Sequence, residues 1–490
     1  MRCSRHRDER DAGARGEKDL RPGRPYVRDA TPSARAALAA PQTPVALALL
    51  SLATGLLVGL VDWGALTLSD RLIELVWGLA GGRGADPALG ASCAPRWFPL
   101  PVCVAGGLVI GLWTRRTHVA PESLETVMAT LRRTGSYRLE HPSASVVSFL
   151  LPLAFGGSVG PEAGLTGLIA SGCCWIRDTL KRAGLRVGAV ADVTVSASLS
   201  AIFGAPFAGL LAEAEGDAGA PDVDAYEMRR PVKALLYLTA ALGALAGVRL
   251  LSALVGGASG LPRFAASEAD LADLAWFLPC AGMGYALALV SRVSQRAFCT
   301  LSRRVGDGEA ALLAKPVAAG AVLGATAVLL PDVLFSGEGA TRALIRDWAV
   351  TAPSAMLACG LAKSALTQMC IALGWRGGHF FPDIFAGAAC GMGLAVITGA
   401  DPTFAAAVTA STFVAATTKR PLLTVGLLLL CFPAGDILWS AAAAALTYVL
   451  PLPAAPAAGE GDAGDQGERG AAARGEKDAP PHGPDASRLR

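Results

Sequence analysis

The chain has 490 residues, 52% of them hydrophobic and only 17% charged, with a formal net charge of +3 and a mean hydropathy of +0.45. That charge is too low to cover the surface of a soluble fold of this length, and the apolar runs are too long and too many for one soluble core. The composition excludes an ordinary soluble domain, and the near-balanced charge does not point to a nucleic-acid partner.

Residues 1–40 are rich in Arg and residues 456–490 in Gly, Ala, Pro, Asp and Glu. Neither tail has the apolar content to fold alone, so both read as disordered. A basic N-terminal tail is what the positive-inside rule expects on the cytoplasmic side of a multi-pass protein of the cell membrane. The first apolar segment begins near Val45, too far from Met1 for a cleavable signal peptide. Residues 41–455 then form the transmembrane domain.

Candidate spans follow at 44–63, 99–113, 147–155, 162–175, 187–202, 206–211, 232–255, 275–290, 317–330, 353–373, 383–398, 404–416, 421–431 and 437–450. A perpendicular crossing needs about 20 apolar residues, so many of these are too short to cross alone. Half-spans that meet inside the membrane explain the pattern, with their non-helical joints buried in protein or lining a cavity. The predicted fold class is an all-α, polytopic membrane protein of short, tilted and broken helices. Gly- and Ala-rich segments allow close helix contacts, as between Gly387 and Gly393. The 11 cysteines are scattered without CxxC or Cys/His zinc spacing and read as small apolar residues, so no metal and no cofactor is expected.

Two breaks carry the functional signal. Gly156-Gly157-Ser158-Val159-Gly160-Pro161-Glu162 and Gly377-Gly378-His379-Phe380-Phe381-Pro382-Asp383 each interrupt an apolar stretch and start a new helix. The glycines free the backbone, and proline suits the first helical position because its missing N–H has no partner there. Interrupted helices in matching positions point to an ion site at mid-membrane depth, where unpaired N–H groups and positive helix ends face a partly dehydrated anion.

A second pair of breaks lies at Phe203–Gly209 and Thr418-Lys419-Arg420-Pro421. Nearly equal offsets separate Pro161 from Pro382 and Pro206 from Pro421, which suggests two copies of one unit, about 99–255 and 275–450. An odd number of crossings per copy would invert them. The competing explanation is chance recurrence among 31 prolines.

These residues resemble a family. Gly157 to Pro161 is similar to the GxEGP signature of CLC chloride channels and transporters, Gly378 to Pro382 to GxFxP, Phe203 to Gly209 to FNAPLAG, and Ala415 to Leu427 to the stretch ending in APLTGI. Lys363 matches a lysine often found before the second signature. The resemblance covers roughly residues 44–450. It implies an inverted-repeat fold and a homodimer in a lipid bilayer, with a separate path for chloride or a similar small inorganic anion in each subunit. The anion would be held by Gly157, Ser158, Val159, Gly160, Gly378, His379 and Phe380.

The departures bear on mechanism. The family's gating glutamate position is Val159, which neither titrates nor competes with an anion by charge, so passive conduction is expected. The internal proton-transfer glutamate falls near Gly216, with Glu213 and Glu215 close by. The remaining family motif, GSGIP, is best matched by Thr117-His118-Val119-Ala120-Pro121. There Thr117 or His118 either faces the anion or merely caps a helix beside Arg115 and Arg116, and both readings stand. Tyr448 is the only late tyrosine, but no motif fixes it as a pore residue.

Acids follow each proline: Glu122, Glu162 and Asp383. First-turn acids are ordinary partners of the helix dipole. The sharper alternative has Glu162 replacing the missing gate charge, making an anion/proton antiporter with a relocated carboxylate at Glu162, Glu213 or Glu215. Arg376 stands either at a pore mouth or as an interfacial anchor. Two other classes remain. Gly156 to Gly160 satisfies the G-x-S-x-G pattern of hydrolases, but the strand that an elbow needs is not expected, and no acid is placed to orient a histidine such as His379. No enzyme activity is therefore expected. A transport-inactive scaffold is the last alternative.

Overall fold

A computed structural model describes residues 44–78, 96–123, 126–127, 130, 136–182, 230–256, 262–270, 272–429 and 431–453. The tails, the expected spans at 187–202 and 206–211, the Phe203–Gly209 motif, Glu213 and Glu215 lie outside the described residues. Within them the chain is helical, in the order α1 (Pro44–Gly78), α2 (Pro99–Thr117), α3 (Pro142–Ala154), α4 (Glu162–Arg182), α5 (Arg230–Val255), α6 (Phe277–Val305), α7 (Glu309–Leu329), α8 (Glu338–Asp347), α9 (Pro353–Ala372), α10 (Phe380–Thr398), α11 (Pro402–Thr418), α12 (Pro421–Leu428) and α13 (Ile437–Leu446). Proline opens many of these helices, as expected for a residue with no N–H to leave unpaired.

Six of the described helices are long and apolar enough to cross a membrane, while α3 and α13 are apolar but short. Short apolar helices are thus present among the described residues, but the expected spans at 275–290, 317–330 and 383–398 belong to helices long enough to cross. Helix α8 had no counterpart among the predicted spans, because its run EGATRALIRD is strongly amphipathic rather than apolar throughout.

Small residues set the helix contacts, since apolar lipid gives helices little hydrophobic reason to associate and close backbone approach must supply the attraction. Gly55 and Gly59 of α1 lie against the backbone of Ala240 and Ala244 on α5, so the two helices run parallel. Helices α2 and α7 run antiparallel, with Gly107 against Pro316 and Val317, and Gly320 against Cys103. Helix α10 sits at the centre. Gly387 and Gly391 bring it against Ala410 and Ala405 of α11, while Gly393 faces Met356 and Leu357 of α9. Gly387 and Gly393 thus serve different neighbours.

Because α2 and α7 are antiparallel, the end of α2 meets the start of α7. Arg115 and Arg116 close α2, Arg303 and Arg304 close α6, and Arg115 pairs with Glu309 at the start of α7. One end of the bundle is therefore rich in arginine.

Candidate functional site

The chain leaves α3 through Phe155 and turns at Gly156, whose φ of +86° belongs to the left-handed region that glycine enters without penalty. The Gly157 amide then donates to Pro152 O (2.7 Å) and the Val159 amide to Gly157 O (2.8 Å). In the second half Gly374 turns at φ +103°, and Trp375, fully buried, donates its ring N–H to Pro316 O at 2.8 Å. That indole fastens the second signature to α7.

The two signatures meet. Gly160 N donates to Gly378 O at 2.7 Å and Gly378 N to Gly160 O at 2.8 Å, an antiparallel bridge between the starts of α4 and α10. The starts of both helices are thereby brought together, and their positive ends converge. The first signature proline directly precedes α4. Helix α10 begins two residues before Pro382, which occupies the first turn, where an absent N–H still leaves no gap.

Glu162 occupies the convergence point. Its side chain is fully buried, and Oε1 accepts from the Phe380 amide at 2.7 Å. Its carboxylate lies so close to Gly160 and Gly378 that a Cβ on either glycine would collide with it. Among the described residues, Oε2 has no hydrogen-bond partner. A hydrogen bond to a charged group contributes about 1.5–3 kcal/mol, and a partly buried helix end adds up to about 2 kcal/mol for an anion. Glu162 therefore serves the helix start of the other half as well as standing in its own first turn, a target that sequence spacing could not show.

Other signature side chains complete the site. Val159 is fully buried and apolar, and Ser158, also buried, shares a hydrogen bond with the Thr367 hydroxyl at 3.2 Å. His379 Nδ1 lies 2.9 Å from Asp383 Oδ2, and its ring stacks on Phe380 at 4.9 Å. Thr417 Oγ1 of α11 donates to the same Asp383 oxygen at 3.4 Å, while Oδ1 is buried without a partner among the described residues. The expectation that no acid orients a histidine is thus corrected. Asp383 is one helical turn from His379, and the i,i+4 spacing was a readable signal. The hydrolase pattern finds no elbow, since the described residues contain no strand and the hydroxyl of Ser158 is paired with Thr367.

Behind the first signature, Lys363 of α9 is fully buried, and its ammonium donates to four carbonyls, those of Asp332, Val333, Leu334 and Phe335, at 3.0–3.2 Å. Phe335 N in turn donates to Gly156 O at 3.1 Å. Lys363 therefore fixes the loop that buttresses the Gly156 turn, a role that sequence matching alone did not reveal.

Thr117 and His118 lie elsewhere. His118 ends α2 in the left-handed conformation, φ +53°, with its side chain exposed and its amide donating to Thr114 O. Thr117 donates its hydroxyl back to Trp113 O at 2.8 Å. Next to them a cavity of about 110 Å³ is bordered by Trp113, Val119, Ser148, Lys315 and Arg376. Lys315 is paired with Asp307 at 2.9 Å. Tyr448 is exposed.

Comparison with known proteins gives the family and the fold. Residues 106–450 match the family model described as voltage gated chloride channel. The fold is similar to a slow cyanobacterial Cl-/H+ antiporter at TM-score 0.64 and 16% identity, covering 82% of this chain and 93% of that one. It is also similar to a CLC-type fluoride/proton antiporter, at TM-score 0.62 and 18% identity, covering 83% and 95% of the two chains. A eukaryotic CLC transporter gives TM-score 0.59 and 19% identity, over 82% of this chain and 72% of that one. No curated protein matches in sequence.

Proposed function

The chain belongs to the voltage gated chloride channel family, and from that membership we propose that it moves a small inorganic anion, chloride first, past the paired helix starts, with Glu162 as the gate. The observation that carries this reading is the Glu162 carboxylate on the Phe380 amide at 2.7 Å. A carboxylate oxygen there stands where a halide would take the same donor and the same helix-end field. Anion and carboxylate compete for one position, so the anion binds when Glu162 withdraws or is neutralised.

This geometry favours the antiporter reading over passive conduction. A group that holds the anion position when charged and yields it when protonated links anion passage to proton binding, and Val159 leaves that role to Glu162. Two of the similar structures are of Cl-/H+ and fluoride/proton antiporters. Passive conduction is the second reading, supported by the fully buried, non-titrating Val159. Ser158, Val159, Gly160, Gly378 and His379 line the same crossing. The functional unit is a homodimer with one path per subunit, set in the cell membrane with its arginine-rich end and tails in the cytoplasm.

The test is reconstitution into liposomes under a chloride gradient with valinomycin, recording chloride release and external pH together. The expected result is proton movement opposite in sense to that needed for passive balance, abolished in Glu162→Gln while chloride still flows. Chloride release without proton movement in the parent protein would return the passive reading, and no chloride release at all would return the scaffold.

A further inference from the structure

We infer that the His379–Asp383 pair is a proton-holding station that loads and unloads Glu162, an inference that rests on the Glu162 reading above. Ionisable side chains inside a membrane bundle are costly and mark proton or ion paths. Three of them meet here. Asp383 is fully buried, and His379 directly precedes the residue whose amide holds Glu162. Among the described residues, both buried acids keep one oxygen without a donor, Glu162 Oε2 and Asp383 Oδ1. A carboxylate oxygen sealed from water and donors is the place where a proton or a water is needed.

The pairing assigns the imidazole nitrogens. Nδ1 faces Asp383 Oδ2, which orients the ring as a carboxylate commonly does and leaves Nε2 as the nitrogen that exchanges the proton. In the forward step the Nε2–H bond breaks and an O–H bond forms on a Glu162 carboxylate oxygen. Imidazolium and carboxylate become neutral imidazole and carboxylic acid, and no other reactant is consumed. The neutral acid loses its charge-assisted hold on the Phe380 amide and yields the position to the anion. The side chain of His379 is 26% exposed, so the imidazole is open to the surroundings where Asp383 and Glu162 are sealed.

Other ionisable groups border these three. From α11, Thr417 supports Asp383, and Arg292 of α6 donates to the Thr417 carbonyl at 3.4 Å. From α8, Glu338 lies within electrostatic reach of Glu162, of Arg342 on the same helix and of Asp70 on α1. Lys363 of α9 is directed to its four carbonyls. Arg376 borders the cavity beside α2.

The experiment measures protons moved per chloride in liposomes holding the parent protein, Glu162→Gln, His379→Gln and Asp383→Asn, over about pH 5 to pH 8, where imidazole titrates. Asp383→Asn keeps the size of the side chain and serves if His379→Gln does not fold. The expected result is a proton-to-chloride ratio lowered about tenfold or more in both pair variants, chloride flux retained in Asp383→Asn, and the rise in flux across that pH range flattened. A merely structural role would lower chloride and proton movement together and leave their ratio fixed. An unchanged ratio in both pair variants, with Glu162→Gln uncoupled, overturns the station and leaves the Glu162 reading intact. A Glu162→Gln protein that still moves protons at the parent ratio, or a parent protein that moves none, overturns that reading and the station with it.

Discussion

Gly160 and Gly378 exchange backbone hydrogen bonds in both directions, at 2.7 and 2.8 Å, and the carboxylate of Glu162 lies against both α-carbons. The two halves of the protein are joined at the point where a charged group is held. Space for that group exists only because neither position carries a Cβ.

Gly378→Ala should therefore be destabilising, because its new methyl would overlap the Glu162 carboxylate. Overpacking of this kind costs about 1–3 kcal/mol. Thermal unfolding of the purified protein should show a lowered midpoint, largely restored in the double variant Gly378→Ala/Glu162→Ala, where the obstruction is gone. An equal drop in single and double variants would place the strain elsewhere.

Lys363→Met should be among the most damaging single changes. It keeps the length of the side chain but leaves four carbonyls without their shared donor, and loss of one partner from a buried charged network costs about 3–5 kcal/mol. The loop at 332–335 should loosen, which amide hydrogen exchange at Phe335 and Gly156 would report. Protection equal to that of the parent protein would mean that the loop does not depend on the ammonium.

Val159→Ala should leave the pH dependence of anion flux where it is, since an isopropyl group neither titrates nor competes with an anion. Its cost is packing alone, roughly 1–2 kcal/mol for the methyl groups removed. Flux recorded at several pH values in liposomes decides the matter, and a displaced profile would move the gate back toward residue 159.

His118→Gly should raise stability by about 0.5–1 kcal/mol, because glycine accepts the left-handed φ of +53° that ends α2 without a Cβ penalty. Chloride flux should be unaffected. A lost or strongly slowed flux would instead assign the exposed imidazole a part in the anion path.

The membrane character, the broken spans and the two signatures were legible in the sequence because each is a short-range property. Apolar runs, Gly-Gly pairs and prolines act on the few residues around them, and α4 and α9 begin at the residues expected from that pattern. The resemblance to the family was legible for the same reason, since it rests on motifs of five to seven residues in a fixed order. Helix α8 escaped because its charges hide an element that is buried along one side only. The i,i+4 pair of His379 and Asp383 was within reach of sequence reasoning, because residues one turn apart on a helix are neighbours.

What the sequence by itself determined is that this protein crosses a membrane through interrupted helices and where those interruptions fall, because backbone freedom and apolar length are written residue by residue. The tertiary structure alone decided that Gly160 pairs with Gly378, that the Lys363 ammonium gathers four carbonyls, and that Glu162 reaches an amide 218 positions away. A carboxylate in a first helical turn has the same local chemistry whether it serves its own helix or another. Which donor it finds is set by the docking of α4 against α10, and that depends on side-chain packing summed over the whole bundle.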